Sequence, residues 1–196
     1  MAEKAGPSRT PSYIAAHVLK ALEIIGSTLG VGRQQLAREL GIGEGTVRTL
    51  VKRLKDEDLV EISRGGMSLT EKGADMLNDM LERIRSTELG ETGITVGKSN
   101  FAVLVKGSAK HVQNGVEQRD SALIVGARGA TTLTYRGGQL RIPGLGMDIP
   151  SKLESELISK LKPSEGDVLI IGAADEPLMA ELGAKAAALE LIEKSA

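Results

Sequence analysis

Arg48, Thr49, Lys52 and Arg53 are the side chains with the clearest chemistry to offer. Across residues 44–56, Val47, Leu50, Val51 and Leu54 repeat at helical spacing. A step of about 100° per residue turns Gly45, Arg48, Thr49 and Lys52 to the opposite side and leaves Arg53 at the flank. Such a face suits a polyanion. Small residues at its leading end admit close approach, and Arg48 and Lys52, one turn apart, reach phosphates or base edges from within a groove. The alternative is an ordinary solvated face, since bases opposite a core stripe need no ligand.

Other chemistries find little to work with. The 196-residue chain has no cysteine, which excludes disulfides, thiolate metal sites and cysteine nucleophiles. His17 and His111 stand far apart without a metal-spaced partner, and no serine or threonine sits in a recognisable nucleophile motif. No catalytic residue, metal or cofactor is expected. The net charge of -1 creates no global positive field, so any anion-binding patch must be local. Three aromatics, Tyr13, Phe101 and Tyr135, are too few for stacking on single strands, which favours a duplex. No run approaches the roughly 18 apolar residues of a membrane span, and MAEKAGPSRTP lacks the apolar stretch of a signal peptide. A soluble, cytoplasmic protein without membrane contact is the expectation.

The elements that must hold the cationic helix flank it on both sides. Residues 1–9 lack periodicity and read as an arm. Thr10 can cap, and Pro11 can open, a helix whose stripe is Ile14, Val18, Ala21, Leu22 and Ile25. Gly30 and Gly32 mark a loop. A two-turn helix with Leu36, Ala37 and Leu40 inward is then closed by Gly41, in the position that favours a left-handed residue. Beyond the cationic helix, residues 59–63 alternate in polarity, Arg64-Gly65-Gly66 turns the chain, and residues 67–69 return as a second strand. Arg64 stands at the tip. Thr70 caps a fourth helix, with Ala74, Leu77, Leu81 and Ile84 inward, to about Ser86, and a stripe of this kind can pair two subunits.

The segment LARELGIGEGTVRTLVKRLKDEDLVE, followed by MSLTEKG, resembles the winged helix-turn-helix of prokaryotic transcriptional regulators, including the N-terminal domains of sugar-responsive glycolytic regulators. The resemblance implies a support helix, a recognition helix in the major groove of double-stranded DNA, and a wing over residues 59–69. It places Thr46, Arg48, Thr49, Lys52 and Arg53 at the groove, Arg33, Gln34 and Gln35 near phosphates, and Arg64 in the neighbouring minor groove. Two features depart from a strongly basic binder. Glu44 stands at the leading edge of the recognition helix, where its carboxylate can accept from cytosine or, the favoured reading, complement the helix dipole, and residues 1–86 hold thirteen bases against twelve acids.

Residues 87–97, TELGETGITVG, carry three glycines without helical period, and residues 87–98 read as a linker. The order that follows is a strand near residues 100–106, a helix near 114–127, a hairpin about Gly137-Gly138, a helix opened by Pro150-Ser151 and ended by Pro163, the strand VLII, and a long helix over 176–194. The expected fold is therefore two-domain α/β. A winged helix-turn-helix over residues 10–86 is followed, over residues 99–196, by an α+β domain of split βαβ, ferredoxin-like layout with an extra C-terminal helix. Its sequence resembles the uncharacterised small α/β domain that follows a winged helix in some archaeal proteins, and no activity comes with that likeness. Val116 and Leu123 suggest a buried stripe with Arg119 and Asp120 on nearly the same side. Charges so placed must pair, with neighbours or with a small-molecule effector.

The reading that results is a sequence-specific regulator binding duplex DNA as a homodimer. A winged helix that binds protein instead, and an enzyme with a catalytic second domain, are the competing classes.

Overall fold

The computed structural model describes residues 12–145 and 147–195. The arm over residues 1–9 and the helix opening at Thr10 and Pro11 lie outside the described residues. The chain forms two compact units that divide between Ala74 and Asp75, inside α4 (Glu71–Arg83). This places the division upstream of the predicted linker.

The first unit holds α1 (Ala15–Ser27), α2 (Arg33–Leu40), α3 (Glu44–Asp56) and an antiparallel hairpin of β1 (Val60–Ser63) and β2 (Gly66–Leu69). Apolar periodicity decides which faces turn inward. Leu36 and Leu40 of α2 and Val47, Leu50, Val51 and Leu54 of α3 are buried, whereas in α1 the stripe runs through Ala16, Leu19, Leu22 and Ile25 and leaves Val18 half-buried. Each full burial of a leucine or isoleucine contributes about 1.5–3 kcal/mol. Gly41 ends α2 at φ 63°, its N–H donating to the Arg38 carbonyl while the Ile42 N–H donates to that of Ala37. A left-handed residue makes these bonds possible and sets the direction in which α3 leaves.

The hairpin is seated by backbone contact. A β-carbon on Gly30 would lie 2.2 Å from the Gly65 carbonyl oxygen, and one on Gly66 would lie 2.4 Å from the Gly30 backbone. Val31 extends the pairing by bridging Met67. At the other end, Thr70 accepts the Gly73 N–H and donates to the Asp58 carbonyl, so the predicted cap also ties the start of α4 to the end of α3.

The second unit is a five-stranded antiparallel sheet in the order β3-β4-β7-β5-β6. Its strands are β3 (Ile84–Leu89), β4 (Ser99–Val105), β5 (Gly129–Arg136), β6 (Gln139–Arg141) and β7 (Val168–Ala174), and its helices are α5 (Val116–Ile124), α6 (Ser151–Leu161) and α7 (Pro177–Ser195). β7 is central and buried along its whole length, which explains its continuous apolar sequence. Leu169 and Ile171 join Leu104, Leu133, Leu153 and Leu157 in a core that includes α6. On the alternate face Gly172 lets α7 approach, since a β-carbon there would stand 2.3 Å from the Ala180 carbonyl oxygen.

The two-domain α/β plan holds, and the hairpin about Gly137 and Gly138, both at positive φ, forms as expected. The strand order differs from a ferredoxin-like sheet. There the hairpin's return strand splits the βαβ unit; here β7 lies between β4 and β5, and β6 takes the edge. The linker reading is also corrected. Helix α4 ends at Arg83, and residues 84–89 pair with β4 from Ile84↔Val105 to Leu89↔Asn100. The connection after β3 is tied to the sheet, because Asn100 Nδ2 donates to the Gly90 and Gly97 carbonyls and Thr131 Oγ1 to that of Ile94. Its Gly97 packs on the Ala174 backbone. No helix among the described residues is long and apolar enough to cross a membrane.

Candidate nucleic-acid interface

Helix α3 owes its cationic surface to the burial of its other side. With Val47, Leu50, Val51 and Leu54 inward, Gly45, Thr49, Lys52 and Asp56 form the outermost ridge. Arg48 and Lys55 flank it on one side, and Thr46 and Arg53 on the other. Thr49 Oγ1 donates to the Gly45 carbonyl, 3.2 Å away, which leaves its oxygen lone pairs outward.

The β1–β2 wing rises beside the Arg48 flank. Ser63 Oγ accepts the Gly65 N–H and donates to the Gly66 carbonyl, a local clasp that shapes the turn carrying Arg64. Between α3 and the wing lies a cleft of 590 Å³. Its apolar lining comes from Val31, Val51, Ile62 and Met67, and five cations stand around it: Arg33, Arg48, Lys52, Lys55 and Arg64. All five are exposed. A recess of 360 Å³ shares Gly32, Arg33 and Arg48 with the cleft and adds Gln34 and Glu44. In a chain of net charge -1, this is a local concentration of positive charge on a shaped surface.

Arg33, Gln34, Arg48, Lys52 and Arg64 are thus drawn together, although they come from three separate elements. Gln35 and Thr46 are half-buried away from the cleft lining, and Arg53 is exposed on the far flank. Sequence reasoning missed Lys55. It precedes the acidic run Asp56-Glu57-Asp58 and reads as a helix end, yet it stands two turns beyond Arg48 on the same flank. Glu44 opens α3 behind Gly43, whose position lacks a side-chain cap, so its carboxylate complements the positive helix end while tempering the recess it shares with Arg33.

In the second unit the premise of an effector site at Arg119 and Asp120 is corrected. Helix α5 buries Gln118, Ser121 and Ala122, whereas Val116 and Leu123 are exposed. The two charges are about half exposed and pair with each other, Arg119 Nη2 lying 3.0 Å from Asp120 Oδ1. Asp175 stands just ahead of α7. It pairs with Arg128 at 2.9 Å, and the Glu176 carbonyl receives the first helical N–H bonds.

Two successive parts of the chain are similar to known families. Residues 16–84 match the family model described as CggR N-terminal DNA binding domain, and residues 96–191 match the Domain of unknown function (DUF4443). The chain is 41% identical over 71 residues to the Central glycolytic genes regulator of Bacillus subtilis (strain 168), an alignment covering 36% of this chain and 21% of that protein. A solved hypothetical protein from Pyrococcus horikoshii OT3 superposes with a TM-score of 0.76 at 26% identity, over 93% of this chain and 94% of that one. Residues 16–84 are therefore similar to a helix-turn-helix DNA-binding domain of the CggR N-terminal type, and residues 96–191 to the DUF4443 domain.

Proposed function

We propose that the protein is a transcription regulator that binds double-stranded DNA sequence-specifically, with α3 in the major groove and the wing over the adjacent minor groove. The observation that carries this is the ring of five cations around the α3–wing cleft. A helix in one groove and a hairpin in the next straddle the sugar–phosphate strand between them, and that strand passes where these cations stand. Arg33, Gln34 and Gln35 hold phosphates from the α2 side. Thr46, Thr49 and Arg53, away from the cleft, are left to read base edges, with Arg48 and Lys52 reaching either. Two copies would present two α3 helices to successive turns of the duplex. The reading assigns no catalytic step to the chain.

Fluorescence anisotropy against a labelled random duplex tests it. Neutralising five phosphates predicts a slope of log affinity on log salt near −4.5 per subunit, at about 0.9 per phosphate. The apolar lining, with Ile62 more than half exposed, favours a second reading in which the cleft takes a protein segment. Absence of duplex binding at low salt supports that reading and overturns the first.

A further inference from the structure

Glu44 stands apart from the charges around it. Among the residues lining the cleft and its adjoining recess it is the single acid. It is exposed, and among the described residues its carboxylate has no hydrogen bond or ion pair, although Arg33 and Arg48 line the same recess and Arg48 lies one turn along α3. Paired with either arginine, this charge would be largely hidden from a ligand; unpaired, it meets whatever enters. Gly43 and Gly45 flank it, and a β-carbon on either would find no atom within 4 Å. Neither holds a positive φ. Internal packing and backbone conformation therefore do not call for glycine at these positions, whereas close approach by an outside surface does. The helix dipole accounts for an acid in the first turn of α3 and leaves this clearance unexplained.

We propose that Glu44 sets a sequence preference by accepting a hydrogen bond from the N4 amino group of a cytosine in the major groove. This rests on the DNA-binding reading and deepens it. In a helix laid in that groove the N-terminal residues meet base edges, and Glu44 is the first residue of α3. An ionised carboxylate only accepts. Guanine offers N7 and O6 and thymine O4, all acceptors, which repel it. Adenine has an amino group, but its N7 acceptor lies beside that group and opposes the second carboxylate oxygen. Cytosine alone presents an amino donor in this groove with no acceptor beside it. At any other register Glu44 faces an acceptor or a phosphate, which weakens binding there. Arg33, Arg48, Lys52, Lys55 and Arg64 thus supply attraction to every duplex, and Glu44 subtracts from it wherever cytosine is absent.

Selection from a random-sequence duplex library by the full chain, wild type against Glu44→Gln, tests the role of Glu44, with anisotropy on selected and random duplexes giving the affinities. Glutamine keeps the size, loses the charge and both donates and accepts, which suits adenine. The wild-type motif is expected to hold a cytosine that the Glu44→Gln motif replaces with adenine. Random-duplex affinity of the variant is expected to rise about threefold or more at low salt, because a repulsion of phosphate disappears, so the ratio of selected to random affinity falls. Circular dichroism melts report any effect on the fold separately. An unchanged motif and an unchanged affinity ratio, with or without a lower melting midpoint, overturn the role of Glu44 while the DNA-binding reading stands, as does a wild type that binds duplexes but enriches no motif. A wild type that binds no duplex overturns both.

Discussion

In the proposed complex, single side chains would divide between holding DNA and reading it. Arg48 lines the cleft and the adjoining recess, so Arg48→Ala is expected to weaken binding to every duplex and to reduce the salt slope by about one unit. Arg53, on the far flank, is expected to affect specific sites more than random ones, and anisotropy titrations on both kinds of duplex separate the two effects. His17 links the fold to pH. Burial lowers its pKa, and its Nδ1 accepts the Ile14 N–H, 3.2 Å away, which only the neutral ring can do. The unfolded chain takes up this proton near pH 6.5 and the folded chain only at lower pH, so His17 contributes stability that is present above 6.5 and lost as pH falls through the folded value. Urea melts across this window should show stability rising with pH, with the rise diminished in His17→Gln. Arg48 and Lys52 were legible in the sequence because they sit opposite a core stripe. Lys55 was not, since its role comes from a wing that reaches its flank only after folding.

Among the elements, turns and backbone contacts fix the interface. Gly30 combines a φ of 70° with a β-carbon position 2.2 Å from the Gly65 carbonyl oxygen. Gly30→Ala is therefore expected to cost more than about 1 kcal/mol and to displace the wing, lowering duplex affinity although the residue touches no ligand. Thermal melts and anisotropy on one preparation would check both effects. The Gly41 cap could be read from sequence because it acts on its own helix. The Gly30 contact could not, because it joins segments more than thirty residues apart. The end of α4 was misread for a related reason. Leu77, Leu81 and Ile84 keep a helical spacing, but Ile84 is placed by its pairing with Val105, a partner that local periodicity cannot see.

At the scale of the whole molecule, the chain divides into two compact units, one holding the cationic cleft and the other the five-stranded sheet. The second unit buries a cation on α7: Lys185 is 1% exposed, lies 2.6 Å from Glu181 and stands 5.6 Å from the centroid of the Phe101 ring. Glu181→Ala is expected to destabilise this unit by about 3 kcal/mol, seen as a loss of its own unfolding transition in calorimetry or a fall in its midpoint. A lysine in an alanine-rich helix gives no local sign of burial, and the strand order was hidden likewise, because pairing partners are chosen between distant segments. Amide chemical-shift mapping of the full chain with a short duplex at low salt tests most directly whether the first unit binds DNA through its cationic cleft. The predicted result is perturbation of Gly32, Arg33, Arg48, Lys52 and Arg64 that fades as salt is raised; shifts confined to the second unit, or none at all, would contradict it.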